Sequence, residues 1–265
     1  MCLILLAANA HPGYPLIVAA NRDEAYSRGA AAAAFWNDHP DIFAGRDLER
    51  GGTWLGISRR GRFAAITNYR QGRSADAERS RGELTREYLA GDAAPRAYVR
   101  SVKERAAEYN GFSLIVGAPG ELWFYSNRGA APQRITPGVH GLSNHLLDEP
   151  WPKVRRGVAE LKALMRAGES ELVTSLLHLL ADRAPAPDEL LPSTGVALER
   201  ERALSASFIE GSTYGTRAST VLLVGADAGV LFIERRFGPG GADADETEER
   251  FAIELSRPSR APARA

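Results

Sequence analysis

The chain has 265 residues, 44% of them hydrophobic, and its 33 basic side chains balance 33 acidic ones to a formal net charge of zero. That balance excludes a global field for nucleic acid or for an anionic membrane surface, while the apolar share is ample for a sizeable core. The single cysteine, Cys2, excludes an internal disulfide and fits a reducing compartment.

The first apolar run, Cys2 to Ala8, has no basic region ahead of it and breaks at Asn9 and His11-Pro12-Gly13. It therefore reads as neither a signal peptide nor a membrane span, and the protein reads as cytoplasmic. Residues 3–8 and 16–20 form a strand pair across a turn-rich link, and 53–58 with 62–68 form a second across Arg59-Arg60-Gly61. The alanine run 30–34 reads as loop or short helix. Helical patterning covers 82–90 and 95–109, the latter with Tyr98, Val99 and Val102 on one side. Strands follow at 112–116, 122–125 and 139–144, then helices at 151–167 and 170–181. Ala184-Pro185-Ala186-Pro187 breaks the pattern before a last hairpin, 221–224 with 230–233. After Phe237 the composition is mostly that of a loop, with 251–255 as a candidate edge strand.

Unbroken apolar strands are buried on both faces. Two stacked, mainly antiparallel sheets with helices outside satisfy that requirement, so the fold class is α+β with αββα layering. One domain over residues 1–255 and a disordered tail over 256–265 complete the expected organisation.

Cys2 carries the chemistry that stands out. Removing Met1 would leave a free α-amine, with pKa about 7.7–8.0, two bonds from the carbon bearing a thiol of pKa about 8.5. Such an amine can take the thiol proton, so one residue supplies nucleophile and base. The plainer reading is a buried thiol that only packs. Polar clusters close several strands: Asn21-Arg22-Asp23-Glu24, Thr67-Asn68-Tyr69-Arg70 and Gly141-Leu142-Ser143-Asn144. Strand-end asparagines cap turns, and they can also aim amide N–H groups at a developing oxyanion. Arg217, ahead of an apolar strand, suits a carboxylate or an edge cap. The five histidines lack zinc-ligand spacing, so no metal site is expected.

Several motifs resemble one family. Ala19-Ala20-Asn21-Arg22-Asp23-Glu24 with Tyr26-Ser27-Arg28 looks like the signature of the NRDE, or transport-and-Golgi-organisation, proteins. Met1-Cys2, Gly51-Gly52-Thr53-Trp54-Leu55-Gly56, Thr67-Asn68-Tyr69, Arg81-Gly82-Glu83-Leu84, Tyr109-Asn110-Gly111-Phe112, Ser126-Asn127-Arg128-Gly129 and Gly141-Leu142-Ser143-Asn144 with Pro150-Trp151 follow in order. The resemblance spans residues 1 to roughly 235. It implies kinship with the N-terminal-nucleophile hydrolases of the penicillin V acylase and choloylglycine hydrolase branch, which have a four-layer αββα fold. Carried over by position, Cys2 is the nucleophile and Asp23 the acid that holds amine and thiol. Asn68 is an oxyanion donor, and Asn144 a second polar residue of the site. Asn21, Arg22, Tyr69 and Arg217 form the substrate-contacting set. Where that branch has an arginine ahead of its asparagine-x-aspartate stretch, this chain has Ala20.

Two functions follow from the resemblance. One is hydrolysis of a small linear amide, which needs no cofactor. The other is a non-enzymatic carrier of haem as cargo, or of acyl-CoA or another lipid. For haem, the candidate ligands are Cys2, His11, His39, His140, His145, His178 and the tyrosines, none of them in a haem-specific motif. Trp54, Trp123, Trp151 and Phe112 read as core rather than as a porphyrin platform. Specificity is expected in loops such as 71–79, and Phe35 with Trp36 would mark a contact surface if exposed.

Overall fold

The first strand, β1 (Leu3–Ala8), shows how the chain is layered. Leu3, Leu5 and Ala7 enter one apolar cluster while Ile4, Leu6 and Ala8 enter another, because successive side chains point to opposite faces. The computed structural model describes residues 2–71, 77–129 and 131–254, so the expected tail at 256–265 lies outside them.

The elements in chain order are β1, β2 (Leu16–Ala25), β3 (Ala30–Phe35), β4 (Ile42–Asp47), β5 (Leu55–Ser58), β6 (Phe63–Asn68), α1 (Arg81–Ala90) and α2 (Pro95–Glu104). Then come β7 (Phe112–Ala118), β8 (Glu121–Ser126), β9 (Gln133–Arg134), β10 (Gly138–Leu142), α3 (Pro152–Ala163) and α4 (Glu169–Leu180). The last are α5 (Leu198–Leu204), β11 (Tyr214–Val224), β12 (Gly229–Phe237) and β13 (Asp243–Ala252). A six-stranded sheet runs β10-β1-β2-β11-β12-β13 and a seven-stranded one β3 to β9 in order. Every strand pair in both is antiparallel.

Between the sheets lie Ile4, Leu6, Val18, Phe43, Phe63, Ile115 and Phe232. Leu3, Leu5 and Val221 pack under α3 and α4 on one outer face, and Ala64, Leu114 and Val116 under α1 and α2 on the other. The result is the four-layer αββα sandwich. Each fully buried Leu or Phe in these layers stabilises by about 1.5–3 kcal/mol. Helix α3 reaches its sheet through a glycine: a Cβ on Gly157 would stand 2.5 Å from Leu5 Cδ1. This close approach brings the first turn of α3 over the region where β1 begins.

Several expectations need correction. Asn21-Arg22-Asp23-Glu24 does not close its strand but continues β2 to Ala25, where β11 pairs with it. The alanine run 30–34 is neither loop nor helix: as β3 it is an edge strand, paired with β4, which the sequence reading missed. Trp36 is buried and donates Nε1–H to Ala44 O at 2.9 Å, and Phe35 packs under the Arg59 guanidinium at 3.8 Å, so no exposed aromatic pair forms. The segment after Phe237 carries the ten-residue edge strand β13, rich in acid and paired with β12. Helix α5 was also unforeseen.

Candidate functional site

Cys2 precedes β1 and is half-buried. Its backbone nitrogen donates to Asn144 Oδ1 at 2.7 Å, and its carbonyl accepts the Ser143 hydroxyl at 3.0 Å. The ladder between β1 and β10, ending at Ile4 opposite Leu142, sets this up by carrying the two segments past each other. Asn144 has φ +55°, a left-handed conformation that asparagine tolerates better than most residues. Its amide nitrogen donates to Asn68 O at 2.9 Å and its carbonyl accepts the Arg70 N–H at 2.6 Å. Asn144 thus ties Cys2 in one sheet to the end of β6 in the other.

Asp23 is buried on β2, opposite Thr216, whose hydroxyl donates to Asp23 Oδ1 at 2.7 Å. Burial raises its carboxyl above the usual range, while the charges of Lys153 and Arg22 and the Thr216 hydroxyl pull it back. Burial also pushes the Cys2 thiol up, and the Asp23 charge acts in the same direction. Against this, the Asp23 backbone N–H donates to the thiol and Arg22 favours the thiolate.

Lys153 was not among the residues singled out from the sequence. It is 1% exposed on α3, and its Nζ has no hydrogen-bond partner among the described residues. Burial holds its ammonium below the usual lysine range, and the charges of Asp23 and Cys2 oppose that shift. The signal was available: Lys153 sits beside Val154, in phase with Gly157 and Leu161 on the buried face of α3. Nearby, Arg70 forms a buried ion pair with Glu201 and stacks on Trp151 at 4.4 Å.

A cleft of about 140 Å³ opens over Cys2. Arg22, Asp23, Asn68 and Arg217 line it, as does Arg81 of the Arg81-Gly82-Glu83-Leu84 motif, to which the sequence alone assigns no role. The Asn68 side chain is exposed there, with no protein hydrogen bond among the described residues. Arg217 falls in the register shift between Thr216 and Ala218, a bulge that re-aims its side chain. Asn21 and Tyr69 lie outside the lining. Asn21 is buried, its amide donating to Leu180 O and Ser207 O, both at 2.8 Å. The Tyr69 hydroxyl meets His145 Nε2 at 2.6 Å, and His145 Nδ1 meets Glu149 at 3.0 Å. No histidine or tyrosine lines the cleft among the described residues. Those residues also contain no cluster of three or more His, Cys, Asp or Glu arranged to hold a metal, and no helix long and apolar enough to cross a membrane.

Residues 1–239 match the family model for Transport and Golgi organisation 2. The Transport and Golgi organization protein 2 homolog of Bos taurus is 41% identical over 255 residues, covering 89% of this chain and 92% of that protein. The Homo sapiens homolog is 39% identical with the same coverage. Among solved structures, the Caenorhabditis elegans ortholog of N-acylethanolamine-hydrolyzing acid amidase has a TM-score of 0.52 at 14% identity, covering 84% of this chain and 92% of its own. A mutant of the conjugated bile acid hydrolase of Clostridium perfringens has a TM-score of 0.51 at 9% identity, covering 96% and 92%. At such identities the likeness speaks for the fold, that of the N-terminal-nucleophile hydrolases. The matched sequence makes this chain a member of the Transport and Golgi organisation 2 family, and its strand order and layering place it on that fold.

Proposed function

We propose that the protein hydrolyses a small linear amide through an acyl-enzyme on Cys2. The observation that carries this reading is the fixed nitrogen of Cys2, held by Asn144 Oδ1 at 2.7 Å beside a thiol facing an arginine-lined cleft. Once Met1 is removed, that nitrogen is an α-amine. It takes the thiol proton, and the sulfur attacks the amide carbon to form a C–S bond. The exposed Asn68 amide N–H meets the oxyanion of the tetrahedral intermediate. As the C–N bond breaks, the α-ammonium returns its proton to the leaving amine. Water then attacks the thioester, giving a proton to the α-amine, and the departing sulfur recovers it as thiol. Asp23 holds the amine and thiol in register, and the chemistry needs a reduced thiol, which suits the cytoplasm.

The carrier reading fits the cleft less well. An enclosed drug-sized ligand takes roughly 300–1,000 Å³, and haem also wants apolar walls and an axial ligand. The cleft of about 140 Å³ has charged walls, and of the candidate haem ligands only Cys2 is in its lining among the described residues, with neither histidine nor tyrosine. Burst kinetics test the proposal. An activated acyl ester, such as p-nitrophenyl octanoate, should release one equivalent of p-nitrophenol per chain in a fast phase. Cys2→Ala should abolish that phase, and Asn68→Ala should slow turnover on the order of 10²–10³. A wild-type protein with no burst contradicts the proposal.

A further inference from the structure

The charged groups around the Cys2 cleft are not all paired with one another. Six arginines and four carboxylates line it. The carboxylates are engaged: Asp23 accepts from Thr216, Glu24 from the Ala25 N–H at 2.9 Å and Glu234 from the Ala33 N–H at 2.8 Å. Asp47 holds Arg28 at 2.6 Å and accepts two turn amides. Two more arginines are committed, Arg46 to both oxygens of Asp38 and Arg236 to Asp245 at 3.0 Å.

Among the described residues, three have no carboxylate in hydrogen-bond contact. Arg22 Nη2 stands 3.9 Å from Glu24 Oε2. Arg81 donates to Gly111 O, and Arg217 to Ala25 O and Arg28 O, all backbone carbonyls. They reach the cleft from both sides, Arg22 from β2 and Arg217 from the bulge in β11, with Arg81 from the first turn of α1 over the other sheet. Burial destabilises the Arg217 guanidinium, and the charges of Arg22 and Arg236 add to it. Burial does the same to Arg81, with Arg28 adding repulsion. Arginine cannot relieve this by losing a proton near neutral pH, so these guanidiniums suit an anion from outside.

We infer that the ligand of this cleft carries a carboxylate close to the bond that Cys2 attacks, gripped by Arg22, Arg81 and Arg217. The planar fork of a guanidinium matches a two-oxygen anion. Proximity to the bond follows from electrostatics and space: both Arg22 and Arg81 interact with the Cys2 charge, in a cavity of about 140 Å³ that takes a head group rather than a long spacer. The substrate class is an N-acyl amino acid or a close analogue. The position of the bond rests on the hydrolytic reading above, whereas recognition of the anion does not.

Calorimetric titration of the Cys2→Ala protein separates the two. The probes are N-octanoylglycine, the neutral N-octanoylglycinamide, and N-octanoyl-aminomethylphosphonate as a second anion. The carboxylate should bind at least tenfold tighter than the amide. Arg81→Gln and Arg217→Gln should each erase most of that preference, Arg81→Lys should keep part of it, and Arg235→Gln, an exposed control, should keep all of it. Circular dichroism identifies any variant that fails to fold. Phosphonate binding tighter than carboxylate overturns the choice of carboxylate while keeping an anion site. Equal affinity for carboxylate and amide, or no binding of either up to millimolar concentration, overturns the inference. A missing acyl burst in the wild type would sink hydrolysis and leave the anion preference standing.

Discussion

Asn144 spends its carbonyl, its amide oxygen and its amide nitrogen on three partners, Arg70, Cys2 and Asn68. Removing one partner from a buried hydrogen bond costs about 1–3 kcal/mol, and Asn144→Ala leaves the Cys2 N–H and the Asn68 carbonyl unpaired together. Urea unfolding should show a loss of about 2–4 kcal/mol; a loss below about 1 kcal/mol would mean that the clamp is incidental. Lys153 tests the electrostatics. Its ammonium favours the Cys2 thiolate, so Lys153→Met should move the pH profile of Cys2 alkylation upward, and an unchanged profile would contradict the coupling. The sign for stability is separate. The folded pKa of Lys153 is depressed, so its burial cost is full below that pKa. The cost fades as pH rises toward the ordinary lysine value of about 10.4.

At the scale of elements, close approach and local ion pairs position the site. Gly157→Ala would gain helix propensity of about 0.5–1 kcal/mol, but its Cβ would meet Leu5 Cδ1 at 2.5 Å and Cδ2 at 2.9 Å. Leu5 is fully buried, so overpacking of about 1–3 kcal/mol should win. Thermal unfolding should show a lower midpoint, and a higher one would refute the tight contact. His140 on β10 meets Asp148 Oδ2 at 2.7 Å, and that hydrogen bond raises the histidine pKa. A raised folded pKa contributes stability that is full below about pH 6.5 and lost as pH climbs through the folded value. Wild type should therefore exceed His140→Gln by a few tenths to about 1 kcal/mol at pH 6, narrowing toward pH 8.5. A gap that widens with pH would reverse the assignment. The strands legible in the sequence, such as β1, β7 and the first half of β2, are apolar on both faces because each is covered twice. What escaped was set by pairing rather than by composition: β13 is acidic and survives as a strand because β12 offers its edge, and β3 is alanine-rich with β4 beside it.

At the scale of the whole molecule, the sandwich gathers residues that lie far apart in the chain. Cys2, Asp23, Asn68, Arg81 and Arg217 meet at one cleft because strands from both sheets and the first turn of α1 converge there. Motif positions pointed to Cys2, Asp23, Asn68 and Asn144, and three of these line the cleft while Asn144 holds the Cys2 nitrogen. Motifs carry no depth, however, and so did not tell that Asn21 is consumed inside the sheet or that Lys153 is drawn into the core. The proposed chemistry makes Cys2 a nucleophile whose own amine is its base. Intact mass of the purified protein, before and after exposure to p-nitrophenyl octanoate, with Cys2→Ala alongside, tests it most directly. The expected result is a chain lacking Met1 that gains one octanoyl group at Cys2, with no gain in the variant. A chain that keeps Met1, or a processed chain whose thiol stays unacylated, would contradict it.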